Sequence, residues 1–269
     1  MRNLTTFLLF GVIFVSAMSG QNSVVPIVVG EDLIGGAENG KWITAEKTDT
    51  QLKDKTEFKI INFNGVKQGV FVGTKADRGI CENARITFAE LEAEDNDEQK
   101  LYLGTFADWD PLPRIPTKIP LSNKSNQKIV ADFLKTKRIV KTKIKITQAF
   151  QISINGDGTK EVIIVANYYK RGMGELQSVG DYSFVLLRKV VNGKWQNILI
   201  DGEFFTSKLI QSGEYGPPNI REISPLADLN GDGKIEIILK SYYYEGNWKA
   251  VYELSKNKLT KVLEVECGA

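Results

Sequence analysis

Four oxygen-bearing side chains fall within one nine-residue stretch, Asp228-Leu229-Asn230-Gly231-Asp232-Gly233-Lys234-Ile235-Glu236, which runs straight into the apolar Ile237-Ile238-Leu239. Oxygen ligands on alternate residues, closed by a tight Asp-Gly turn, suit a hard cation such as Ca²⁺. With Asp228 as the first position, Asn230, Asp232 and Glu236 fall third, fifth and ninth. Lys234, in the seventh, could offer only its backbone carbonyl. An imperfect copy lies upstream, with Ser153, Asn155, Asp157 and Glu161 at the matching places, followed by Val162-Ile163-Ile164-Val165. Ser153 stands where the other loop has Asp228, so this copy carries one charge fewer and is expected to bind weakly or not at all. Neither loop is an EF-hand. That pattern needs a carboxylate at its twelfth position and a following helix, whereas Leu239 holds that place and strand-like text follows. The competing reading of both loops is an Asp/Asn/Gly turn whose side chains bond their own backbone with no metal. If metal does bind, its expected role is structural, stabilising the folded loop by mass action.

The rest of the composition narrows the chemistry. The chain has 269 residues and no histidine. That excludes Ser-His-Asp and Cys-His catalysis and His-ligated zinc. Any catalyst would have to work with carboxylates, Lys, Tyr or Ser. Thirty-five Lys and Arg against 33 Asp and Glu give no argument for nucleic acid or another strongly charged partner. The two cysteines, Cys81 and Cys267, are read as one disulfide, the alternative being two separate thiols.

Around the loops the text is mostly β. Asn39-Gly40 leads into Lys41-Trp42-Ile43-Thr44, and Phe58 to Phe63, Asn64-Gly65 and Val70-Phe71-Val72 read as a hairpin. Strands are also expected over Arg85 to Leu91 and Leu101 to Phe106, separated by an acidic run from Glu90 to Glu98 that reads as a solvated loop. The proline cluster from Asp110 to Pro120 reads as an extended connection and a domain boundary. One main α-helix is expected, with Ser125 as N-cap and Ile129, Val130, Phe133 and Leu134 on its apolar face. In the strand that follows, alternation puts Ile144, Ile146, Phe150, Ile152 and Ile154 on one face.

The loops belong to a longer repeat. Asp157 aligns with Asp232, and at the same offset Tyr168-Tyr169 align with Tyr243-Tyr244. Asp181 to Leu186 then resembles Asn247 to Tyr252, and each unit turns once more, at Asn192-Gly193 and Lys256-Asn257. The expected fold is therefore mostly β with one main helix, built on repeated antiparallel β units. Asn-Gly-Lys-Trp at both 39–42 and 192–195 hints at a decayed third copy.

The Asp-x-Asn-x-Asp-Gly-x-x-Glu loop running into Ile-Ile-Leu resembles the calcium loops of FG-GAP/VCBS repeats, which occur in integrin-type β-propellers and many exported bacterial proteins. The resemblance covers roughly residues 145–265. It implies cation ligands at Asp228, Asn230, Asp232, Glu236 and the carbonyl of Lys234, and, on the other copy, at Asn155, Asp157 and Glu161 with Ser153 as a departure. It also implies a partial-propeller-like arrangement, two units being far fewer than a closed propeller requires. The overall layout resembles an uncharacterised family of exported bacterial proteins and adds no activity.

Residues 1–20 read as a secretory signal: a positive Arg2, an apolar run from Leu4 to Ala17, then small residues. The alternative is an uncleaved anchor. Cleavage would leave a secreted or periplasmic chain with no membrane span, organised as a β-rich domain over 22–120 and the helix plus two repeat units over 121–269. Further candidates are aromatic clusters (Tyr242-Tyr243-Tyr244 with Trp248, and Tyr168-Tyr169 with Tyr182), read as core or as a stacking surface. Asp108-Trp109-Asp110 reads as a turn rather than a glycosidase pair, and Glu214-Tyr215-Gly216-Pro217-Pro218 as a loop tip. The leading functional expectation is a non-catalytic exported module with a structural Ca²⁺ loop and a protein or glycan ligand. A carboxylate-dependent hydrolase and a periplasmic accessory or inhibitor protein are the alternatives.

Overall fold

The computed structural model describes residues 24–78, 81, 83–88, 100–173, 177–213 and 217–268. The expected signal segment, the acidic run from Glu90 to Glu98 and the Glu214-Tyr215-Gly216 part of the loop tip lie outside these residues.

The first half forms β1 (Val25–Val29), β2 (Asp32–Glu38), β3 (Lys41–Thr44), α1 (Ala45–Gln51), β4 (Thr56–Asn62), β5 (Gly65–Val66), β6 (Phe71–Ala76), β7 (Arg85–Thr87) and β8 (Leu101–Gly104). The strands run in the order β1-β8-β4-β6-β7-β2, and β2 pairs back onto β1, so six of them close an antiparallel barrel with β3 and β5 appended. Strand alternation sorts the barrel's side chains. Val28, Leu33, Phe58, Ile60, Ile86 and Tyr102 fill the interior. Val25, Ile27, Val29, Ile61, Leu101 and Leu103 point out, into a second core shared with the C-terminal part.

The second half contains β9 (Thr117–Lys118), α2 (Lys124–Thr136), β10 (Ile146–Ile152), β11 (Glu161–Tyr168), β12 (Tyr182–Val191), β13 (Lys194–Phe204), α3 (Ser207–Ser212), β14 (Ile220–Ile223), β15 (Ile237–Tyr243), β16 (Gly246–Ser255) and β17 (Lys258–Gly268). Strands β10 to β13 form one antiparallel meander, with β9 added at its edge, and β14 to β17 form a second. These are the two repeat units read in the sequence, and their bulges, at Val185/Leu186 and Val251/Tyr252, fall at corresponding places.

The layers stack. Helix α2 covers one face of the first meander through Val130 and Leu134. The other face packs Ile163, Val165, Val185 and Leu187 against Ile237, Leu239, Ala250 and Leu254 of the second meander. That sheet's far side, through Ile238, Val251, Leu263 and Val265, meets the barrel. A disulfide between Cys81 and Cys267, with Cα atoms 5.1 Å apart, ties the β6–β7 connection to β17, and Asn83 donates to the Glu266 carbonyl beside it at 2.7 Å.

Two expectations need correcting. The helix is capped by Asn123, whose side chain accepts from the Asn126 backbone, and Ser125 lies inside it. In β10, the register shifts between Ile146 and Gln148. A bulge flips the facing of everything on one side of it. Ile144 and Ile146 therefore join the helix-side core, while Phe150, Ile152 and Ile154 face the second meander.

Candidate metal centre

Each loop joins the first strand of a meander to the second, and part of the bonding recurs between them. The ninth-position carboxylate bonds the second-position amide in both: Glu236 Oε2 accepts from Leu229 N at 2.8 Å, and Glu161 Oε2 from Ile154 N at 3.0 Å. The loops also touch, Ile235 N donating to the Ile154 carbonyl at 3.0 Å. Gly156, Gly158, Gly231 and Gly233 all have positive φ, the left-handed backbone that lets each chain curl.

In the second loop Asp228 is almost wholly buried. Its Oδ1 accepts from Gly231 N at 2.7 Å and its Oδ2 from Gly233 N at 2.8 Å. Asn230 Oδ1 accepts from Asp232 N at 3.1 Å. Asp232 is bonded both by the Lys234 amide, at 2.9 Å, and by the Lys234 ammonium. These are the self-bonds of Asx turns. Among the described residues no three acidic side chains converge ready-made on a point where a metal could sit. Burial raises the Asp228 carboxyl, against the lowering effect of its two amide donors.

Glu236 is different. It is fully buried, and its Oε1 has no hydrogen-bond partner. Burial pushes its carboxyl up to about 9, and the nearby Asp228 and Asp232 carboxylates add to the rise. An orphaned carboxylate oxygen in such a place carries a desolvation cost on the order of 1–3 kcal/mol. A proton or a bound cation would relieve it. The donor set of two Asp, one Asn, one Glu and a backbone carbonyl is all oxygen, as Ca²⁺ requires. Asp232 would have to leave Lys234 to join it.

The first loop lacks that feature. Asp157 Oδ1 is taken by Thr159 N at 2.8 Å, and the buried atom left without a partner is the neutral Ser153 Oγ.

What the sequence reading missed is a strap. The segment around residues 109–114, expected as a connection, lies across both loops. Trp109 Nε1 donates to the Asp228 carbonyl at 2.9 Å, and the Asp228 amide donates to the Pro111 carbonyl at 2.8 Å. Arg114 Nε donates to the Ser153 carbonyl at 2.7 Å, and its Nη2 reaches the Ile154 and Gly233 carbonyls at 3.1 and 2.6 Å. The pseudo-symmetry extends to the glycines. A Cβ on Gly231 would stand 3.0 Å from the Trp109 ring, and one on Gly156 would stand 2.9 Å from Arg114 Nη1. Each first-position carbonyl thus meets a donor from the strap, and each fourth-position glycine meets its flat group. Nothing local in the sequence pairs Trp109 with Asp228 or Arg114 with Ser153. Asp110, another member of the expected turn, accepts from Leu112 N at 2.9 Å, as an Asx turn should.

The other candidates divide. Tyr182 is core, its hydroxyl donating to the Lys143 carbonyl and accepting from Lys145 N, and Tyr168 packs near it. Tyr169 donates to Glu203, which also accepts from Asn219 N at 2.7 Å. Arg221 binds Asp201 at 2.9 Å beside them. Trp248 packs against the inter-sheet core, whereas Tyr244 is 79% exposed. No protein-family model, curated protein or solved structure matches the chain.

Proposed function

We propose that the chain is an exported, non-catalytic binding module whose Asp228 loop holds one structural Ca²⁺, with Asp228, Asn230, Asp232, Glu236 and the Lys234 carbonyl as ligands. The observation that carries this reading is the Glu236 carboxylate, buried in the ninth position with Oε1 unpartnered and with Asp228 and Asp232 close by. The cation would offset two of the three carboxylate charges at the junction of the strap and both meanders. The likeness of the two loops to FG-GAP/VCBS repeats supports the same assignment, and the apolar first residues support export. Among the described residues, the most exposed rings open to a protein or glycan partner are Tyr244, Phe106 and Trp195. The hydrolase reading takes second place. The part-buried Asp201 and Glu203 are already engaged by Arg221, Tyr169 and Asn219.

Calorimetric titration with Ca²⁺, paired with thermal unfolding in calcium and in chelator, tests the reading. One equivalent of binding and a raised Tm, both lost in Asp232→Ala, are expected. No heat and no shift would reduce the loop to an ordinary turn. Polymer hydrolysis lost on changing a named carboxylate would overturn the non-catalytic half.

A further inference from the structure

We propose that Arg114 is the built-in cation of the paired loops: its guanidinium locks the Ser153 loop without metal, so the pair holds one divalent site rather than two. The inference rests on the Ca²⁺ reading of the Asp228 loop only for the count of metal sites.

The two loops share the ninth-to-second and seventh-to-fifth bonds but differ in their charge. The Asp228 loop has acids in its first, fifth and ninth positions, whereas the Ser153 loop has them only in the fifth and ninth. The missing acid is matched by an added base. Arg114 bonds the Ser153 and Ile154 carbonyls of the first loop and the Gly233 carbonyl of the second. A planar guanidinium can serve three carbonyls at once and stays charged at any accessible pH. Its position over Gly156 is the place that Trp109, a neutral ring, takes over Gly231. Where the first-position residue is an acid, the strap offers a neutral indole. Where it is a serine, the strap offers a cation. Gathering convergent carbonyls is part of what a metal does in such a loop, and Arg114 does it from a covalent tether. Glu161 fits the same picture. It is as deeply buried as Glu236, yet the buried atom left orphaned in its loop is a hydroxyl and not a carboxylate oxygen.

The test compares the full mature chain with Arg114→Gln, Arg114→Lys and the double variant Ser153→Asp/Arg114→Gln. In chelator, Arg114→Gln is expected to melt about 4 °C or more below the parent. Arg114→Lys should recover little of that, because a single ammonium cannot present the fork. In calorimetry the parent should bind one equivalent of Ca²⁺ and the double variant two. A parent that binds two equivalents overturns the proposal, as does an Arg114→Gln protein that melts within about 1 °C of the parent in chelator. If the parent binds no Ca²⁺, the reading of the Asp228 loop fails, and the chelator comparison alone still decides the role of Arg114. If Arg114→Gln does not accumulate as folded protein, the parent's stoichiometry decides.

Discussion

Gly231 and Gly233 share a backbone conformation but not surroundings, which makes them a sharp probe of the strap. Both have positive φ, so alanine at either costs on the order of 1 kcal/mol in backbone strain. Only at Gly231 would the added methyl press on Trp109; at Gly233 it meets open space. Gly231→Ala should therefore lower unfolding free energy by about 1 kcal/mol more than Gly233→Ala in parallel urea titrations. Equal losses would mean that the indole does not hold its place over the loop. Trp109→Phe keeps a ring there but removes the bond to the Asp228 carbonyl, for an expected loss of about 1 kcal/mol. Tyr182 supplies a pH dependence. Burial raises its phenol to about 12 from its ordinary 10. Between those values the unfolded chain has released the proton and the folded one has not, so stability must fall as pH rises. Tyr182→Phe should flatten that fall in unfolding curves taken from about pH 9 to 12, and an unchanged slope would assign the effect to other groups.

Strand β14 shows what a sequence hides at the scale of an element. Paired with β15 on one side only, it is an edge, and an edge exposes backbone donors and acceptors. Side-chain amides from the first meander cover it. Asn167 accepts from Arg221 N and donates to its carbonyl, and Gln148 does the same for Ile223 at 2.6 and 3.1 Å. Gln148→Leu removes both Ile223 bonds at a part-buried place and should cost about 2 kcal/mol by denaturant titration. Gln148→Asn keeps the amide but draws it back by one methylene, so it should recover little of that loss. A leucine variant as stable as the parent would show that the edge does not depend on this cap. The meanders themselves were legible, because each carries turn dipeptides and alternating apolar residues whose meaning is local. The Asn39-Gly40, Asn192-Gly193 and Lys256-Asn257 turns all place both residues at positive φ, the primed hairpin geometry that such sequences favour. That local meaning also misled. At 39–42 the Asn-Gly pair of Asn-Gly-Lys-Trp makes the β2–β3 hairpin turn, and there it serves the barrel sheet. Barrel closure, the β10 bulge, the amide caps and the strap depend on residues far apart in the chain, which no periodicity reports.

At the scale of the whole molecule, the disulfide closes a sequence separation of 186 residues. Chain-entropy reasoning gives such a link about 5 kcal/mol, with native-state relaxation reducing it. The double variant Cys81→Ser/Cys267→Ser should lose about 2–5 kcal/mol in chemical unfolding, and a loss under about 1 kcal/mol would show that the layers hold the ends together unaided. The order of the layers has a further result. The sheet in the middle of the stack is the one encoded last, after both of its neighbours. While the chain is being made, the outer face of the barrel and the inner face of the first meander have no cover, because the strands that will lie between them do not yet exist. Assembly cannot proceed layer by layer from the first residue onward. The final fold must wait for the strands from Ile220 onward, and until then the nascent chain presents two uncovered apolar surfaces.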